Sequence, residues 1–402
     1  MSSTDATTYR EAAESLAGEL TDLRHALHRE PELGLHLPLT QARILTALEG
    51  LPLEVTTGDR LSSVVAVLHG GRPGPAVLLR GDMDALPVQE LTGLPYASRV
   101  DGVMHACGHD QHVAMLVGAT RLLSERRAQL PGSVVFMFQP GEEGHDGAGA
   151  MLAEGVLDAA GKPVVGAYAV HVASNGVPLG VVSGRAGTML AGNAELHVTV
   201  HGRGGHGSTP HSAADPLPAA AEMVTALHTL VTRVTSVFDP VVLTVGTFHA
   251  GTKPNVIPAE ATFGATVRAT SQEAMRDFLP RATALCEGIA AAHGLTATAR
   301  AEEQYPAMVC APEAVDLAEE AATALYGEGA FVRAPHPAMG SEDFSRVLAL
   351  VPGAQVMIGA RPHDAPKDAP FNHSAHAVFD DAALPVGAAL LAELAERGLR
   401  RG

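Results

Sequence analysis

"SVVFMFQPGEEG", Ser133–Gly144, runs an unbroken apolar stretch into an acidic turn bounded by glycines. A run that short, that apolar and without alternation reads as a strand buried on both faces, and such strands belong to parallel sheets covered by helices. The turn then stands at the carboxyl end of its strand, where open α/β sheets bind their ligands. Outward from this stretch, "SVVAVL" (63–68), "AVLLR" (76–80) and "VVGAYAV" (164–170) have the same texture. Between them "DQHVAMLVGATRLLSERRAQL" (110–130) predicts a buried helix with Asp110 as its cap, and an amphipathic helix is expected near residues 8–29. The expected fold class is α/β with a largely parallel sheet.

From about residue 188 the pattern changes. "AELHVTVHGR" alternates as a half-exposed strand does. It is followed by a helical segment (214–234), two strands (241–251 and 259–270), a second helix (271–294) and a last strand (295–304). This is the βαββαβ order of a small ferredoxin-like domain. After residue 305 α/β texture resumes and ends in the helix "DDAALPVGAALLAELAERGL" (380–399). The expected organisation is a catalytic domain in two parts, 1–184 and 305–402, with an inserted domain at 185–304.

Composition narrows the function classes. The formal charge of −17, with no basic run to offset it, disfavours nucleic acid as a partner. Apolar residues at 46% and charged residues at 18% exclude a disordered chain, and 402 residues suffice for two cores. No apolar run of about 18 residues is present, so no membrane span is expected. The N-terminal stretch lacks a secretion signal's pattern, and the expected location is the cytoplasm. Three widely spaced cysteines argue against a disulfide framework; Cys286 and Cys310 read as small buried hydrophobes.

Potential ligands collect at the strand ends. Asp82 and Asp84 follow "AVLLR", Glu142 and Glu143 follow "SVVFMFQ", and His171 closes "VVGAYAV". "MHACGHD" (104–110) places Cys107 and His109 before a helix, and "FNHSAH" (371–376) adds His373 and His376. Singly each is an ordinary cap or satisfied polar group; together they point to a metal site. Thiolate and imidazole favour zinc or another borderline ion, and carboxylates broaden the choice toward manganese. Five candidate ligands are too many for one tetrahedral ion and suit two divalent ions with one bridging group, a thiolate or a carboxylate. Adjacent glutamates point different ways, so Glu143 is expected to bind metal and Glu142 to act as general base, although spacing alone also allows the reverse. Asp84 is expected to orient a ligand histidine through its other ring nitrogen.

The motifs "RGDMDALP", "MHACGHD", "QPGEEG", "GRGGHGSTPH", "KPNVIP", "GSEDF" and "FNHS" together resemble the co-catalytic metal amidohydrolases of the aminoacylase and carboxypeptidase superfamily. The nearest subgroup is that of hippurate hydrolases, N-acyl-amino-acid amidohydrolases and plant auxin-conjugate hydrolases. The resemblance runs from "HREPELG" (28–34) to "FNHS" in order. It implies that Cys107 is a metal ligand, the bridging one, with His109, Glu143, His171 and His373, and that Glu142 is the base. It implies that the insert mediates homodimerisation and closes over the site. It also implies that His206 stabilises the oxyanion in a partner's site, and that Asn255 and Arg268 hold the substrate's carbonyl oxygen or carboxylate. One departure is visible. Relatives commonly carry an acidic residue shortly after "PELG", where this chain has "LGLHLPLT" with His36 and Pro38.

The expected activity is hydrolysis of the amide bond of an N-acyl amino acid, with zinc or manganese, or else cobalt or nickel, as the ions. The rival with the same chemistry is a dipeptidase or carboxypeptidase. Two rivals of other classes are a cysteine enzyme pairing Cys107 with His109 and a catalytically silent binding protein. No role is assigned to His105, His211 or His376, and His112 is expected to pack inside.

Overall fold

The computed structural model describes residues 3–402. The chain parts into two compact units, one of Met1–Met189, Val309–His336 and Arg346–Gly402, the other of Leu190–Met308 and Pro337–Ser345.

The first unit is built on an eight-stranded sheet in the order 54–57, 64–69, 131–139, 72–82, 164–173, 353–359, 182–184, 331–333. Its centre is parallel: Arg72–Asp82 pairs in that sense with Pro131–Gln139 and with Val164–Ala173, which pairs likewise with Gly353–Gly359. Strand Val64–His69, which has the same apolar texture, runs antiparallel to Pro131–Gln139. Burial on both faces is therefore legible in a run of apolar residues, but strand direction is not.

Helices explain that burial. Ser3–Arg29 turns Tyr9, Ala13, Leu20, Arg24, Leu27 and His28 inward, a 3.6-residue stripe. His109–Glu125 is buried from His109 to Thr120, and Ala383–Arg401 packs on both of these helices. Arg24 belongs to the apolar stripe because its Nε donates to Asp110 at 2.7 Å and its Nη1 to the Tyr96 hydroxyl at 2.7 Å. Asp110 is consequently not the helix cap. That position is Gly108, and the Asp110 carboxylate, one residue inside the first turn, holds Arg24 and His28 instead. Pro38 also finds its reason: it opens helix Pro38–Leu48, where a missing N–H costs nothing. Glu32 reaches across to accept from the Leu39 and Thr40 amides of that first turn.

In the second unit four antiparallel strands lie in the order 241–250, 260–269, 192–201, 296–305. Helices Pro216–Val234 and Gln272–Ala292 cover one face. Its core of Leu196, Val198, Met223, Leu227, Phe263 and Phe278 is self-contained.

Candidate metal centre

Three strands of the first unit end at one edge and deliver acidic or histidine side chains there. Strand Arg72–Asp82 leads into Asp84, Pro131–Gln139 into Glu142 and Glu143, and Val164–Ala173 carries His171. Gly108 turns the chain into the helix that begins with His109. Its φ of 90° is open to glycine at no steric cost, and a Cβ there would meet Val172 Cγ2 at 2.4 Å. The turn therefore presses Cys107 and His109 against the end of the strand bearing His171.

The side chains converge. Cys107 Sγ lies 3.4 Å from His171 Nε2 and 3.3 Å from His373 Nε2. His373 Nε2 is also 3.3 Å from Glu143 Oε1. Potential ligand atoms of Cys107, His109 and His171, of Cys107, Glu143 and His373, and of His109, Glu142 and Glu143 each fall within 4.8 Å of one another. Seven residues singled out in the sequence thus share one site: Asp84, Cys107, His109, Glu142, Glu143, His171 and His373.

Hydrogen bonds fix how these groups point. His171 Nδ1 donates to the Val172 carbonyl at 2.9 Å, which leaves Nε2 as the ring nitrogen that faces Cys107. Both oxygens of Asp84 are occupied by backbone, accepting from the Glu142 and Glu143 amides at 3.0 Å each. One carboxylate therefore anchors the backbone of both glutamates, while its Oδ1 stays 3.4 Å from His109 Nδ1. His112 packs inside as expected, with both nitrogens in use: Nε2 accepts from the Val172 amide at 2.9 Å, so Nδ1 donates to Asp82 at 2.5 Å. Asp82 is held by Arg80 as well, at 2.5 Å.

The donor set fits cationic metals. Both ring nitrogens of His109 are buried without a hydrogen-bond partner, the state of a ligand atom awaiting an ion. Burial alone would push the Cys107 thiol up, but His171 and His109 hold it well below the usual thiol range. Hydrogen bonds to Cys107 and Glu143 push His373 up to about 10. Burial lowers His109, yet Asp82 and Cys107 outweigh it and raise the group well above the ordinary imidazole value. A cluster that draws protons this strongly is short of positive charge, which divalent ions supply.

Sequence reasoning missed several groups. Asp146 stands at φ 54°, caps the helix Gly147–Ala153 by accepting from Gly149, and receives Arg346 Nε at 2.5 Å. Asn372 makes contacts described below. A glycine-rich turn announces the first only weakly, and the second depends on segments some 200 residues away. His105 is wholly buried with neither ring nitrogen hydrogen-bonded, and burial holds it down to about 4, hence neutral. His376 Nδ1 donates to the Leu91 carbonyl at 3.0 Å, a loop-to-loop tie.

His206, Asn255 and Arg268 belong to the second unit. His206 pairs with Val256 in a two-residue ladder, which sets it beside Asn255, whose carbonyl accepts from Gly207 at 2.9 Å. The Ser208 amide donates to His206 Nδ1 at 3.1 Å, so the proton of the neutral ring is on Nε2. Arg268 Nη1 donates to Ser341 Oγ at 2.6 Å.

Comparison with known proteins agrees with this chemistry. Thermostable carboxypeptidase 1 of Saccharolobus solfataricus is 35% identical over 383 residues, 94% of this chain and 94% of that protein. Hippurate hydrolase of Campylobacter jejuni is 34% identical over 388 residues, covering 96% of this chain and 98% of that one. The crystal structure of a dinuclear metal-binding peptidase from Bacillus subtilis aligns with a TM-score of 0.82 at 31% identity, over 96% of this chain and 99% of the other. The model of peptidase family M20/M25/M40 matches residues 78–397, some four fifths of the sequence, and the chain belongs to that family.

Proposed function

We propose that this protein is a metal-dependent amidohydrolase that splits the amide bond of N-acyl amino acids, releasing a carboxylic acid and a free amino acid. The observation that carries the reading is Asp84: one carboxylate binds both glutamate amides beside a buried Cys–His cluster with unpaired ligand atoms. That arrangement holds in place the turn that carries both glutamates, and we assign Glu143 to metal and Glu142 to the base. Cys107, His109, Glu143, His171 and His373 would hold two divalent ions, zinc or manganese by ligand type. When bound, the ions lower the pKa of a water toward neutrality and polarise the amide carbonyl. Glu142 takes a proton from the attacking water and returns it to the leaving nitrogen. His206, whose Nε2 carries the ring proton, is assigned as hydrogen-bond donor to the oxyanion, and Asn255 and Arg268 to the substrate's carbonyl oxygen or carboxylate.

The domain division 1–184, 185–304 and 305–402, with the insert as lid and homodimer contact, is part of this proposal; the separate core of Leu196, Phe263 and Phe278 supports an independently folding insert. Three free, buried cysteines support the cytoplasm as its location. Among the described residues no helix is long and apolar enough to cross a membrane.

The test is Glu142→Gln. The variant should keep its metal while kcat falls about 100-fold or more, and near-normal turnover would remove Glu142 from the role of base. A second reading, carboxypeptidase action on peptides, draws on the relative of that name. Hippurate, acetyl and long-acyl amino acids assayed against dipeptides and peptides separate the two.

A further inference from the structure

Among the described residues only Asp146 and His373 combine a side chain with a positive φ, and His373, at 70°, is a candidate ligand. A histidine holds that conformation only where its surroundings fix it. The neighbour that does so is Asn372. Its Nδ2 donates to the carbonyls of Cys107 at 3.0 Å and Val172 at 2.9 Å. Its Oδ1 accepts from the Ser174 amide at 2.9 Å, with the Ser174 hydroxyl 3.0 Å away. The His373 amide completes the join by donating to the Ala106 carbonyl at 2.8 Å. Carbonyls only accept and a backbone amide only donates, so the orientation of the carboxamide is settled by its partners.

These contacts tie together three segments that are far apart in sequence, and each carries a candidate ligand: Cys107, His171 and His373. We propose that Asn372 is a positioning residue whose carboxamide sets the mutual spacing of those three ligands, so that metal affinity depends on it. The inference rests on the metal-site reading above. It also says why the residue is asparagine. Aspartate, of the same shape, would turn an oxygen toward two carbonyl oxygens, lose both Nδ2 bonds and leave the Val172 carbonyl only its bond from His171, while keeping the Ser174 contact.

The experiment is titration of the metal-free protein with zinc and, separately, manganese against a competing chelator, for wild type, Asn372→Asp, Asn372→Ala and Ser174→Ala, each checked for folding by circular dichroism. Loss of a group that orients metal ligands weakens affinity about 10- to 100-fold, and this is expected for Asn372→Asp and Asn372→Ala. Ser174→Ala keeps both Nδ2 bonds and the Ser174 amide bond to Oδ1, its hydroxyl also facing the Pro370 carbonyl at 2.9 Å, so it should stay near wild type and serves as the control; Asn372→Ala is the decisive variant if Asn372→Asp fails to fold. KM should stay near wild type when metal is saturating, which separates loss of ion positioning from loss of substrate contacts. Wild-type affinity in folded Asn372→Asp, or in Asn372→Ala where that is the only folded Asn372 variant, would overturn the inference while leaving the metal site intact. A wild-type protein that takes up neither ion would overturn the metal-site reading and the inference with it.

Discussion

Asp84→Asn isolates what a single carboxylate contributes to the site. Asp84 is fully buried and accepts two backbone amides at 3.0 Å, from Glu142 and Glu143. The substitution keeps shape and one acceptor, but sets an NH2 group against the other amide. One charge-assisted bond, worth about 1.5–3 kcal/mol, is replaced by a buried donor facing a donor, which itself costs about 1–3 kcal/mol. These overlap, so a loss of about 2–4 kcal/mol is expected in the local preference for the native turn, enough to let Glu142 and Glu143 move. A shift near 1 Å in a reacting group costs about 100-fold, so kcat measured at saturating metal should fall by that order with KM little changed. Asp84→Ala leaves both amides without an acceptor and should fall further. The assay is steady-state hydrolysis of a good acyl amino acid, with bound metal quantified in the same samples. An Asp84→Asn enzyme within about twofold of wild-type kcat and metal content would refute the view that this carboxylate holds in place the turn that carries both glutamates.

Two further outcomes follow from geometry already described. Gly108→Ala demands a φ of 90° from alanine and drives its Cβ to 2.4 Å from Val172 Cγ2; it should destabilise the protein by at least about 1–3 kcal/mol in urea unfolding and release metal more easily, and wild-type behaviour would contradict the packing of this turn. Metal affinity should rise with pH, because below about 10 the ion must displace a proton from His373, roughly tenfold per pH unit for each proton released. In the metal-free protein the sign is opposite: the protonated His373 stabilises fully below the ordinary imidazole value of 6.5 and loses that contribution as pH rises through about 10. Chelator competition across pH 6 to 9 measures the first effect, and an affinity independent of pH would contradict it.

Most of this cluster could be read from sequence because most of the candidate ligands follow a local signal. A buried strand announces itself by an apolar run, and what stands just after it must lie at the sheet edge. Glu142, Glu143 and His171 were legible on that ground alone, and Cys107 and His109 by preceding a helix. What was not legible depends on partners distant in sequence. Asp110 looked like a cap because aspartate before an apolar helix usually is one, whereas here a buried Arg24 from the first helix claims it. Asn372 lies within the quoted "FNHS", but nothing local gives it a role, since its meaning comes from three carbonyl and amide groups that only the fold assembles. Strand direction was hidden for the same reason: Val64–His69 and Val164–Ala173 are equally apolar, and only the connections between them decide which runs parallel.

The sheet order also bears on how the chain is made. Strand Gly353–Gly359 lies between Val164–Ala173 and Val182–Gly184, so the central sheet stays open at that gap until residue 359 has been synthesised. The four-stranded sheet of the second unit has all its strands once Tyr305 has emerged. During vectorial synthesis the four-stranded sheet can therefore form first, with only Pro337–Ser345 of its unit still to be added, while the central sheet of the first unit stays open.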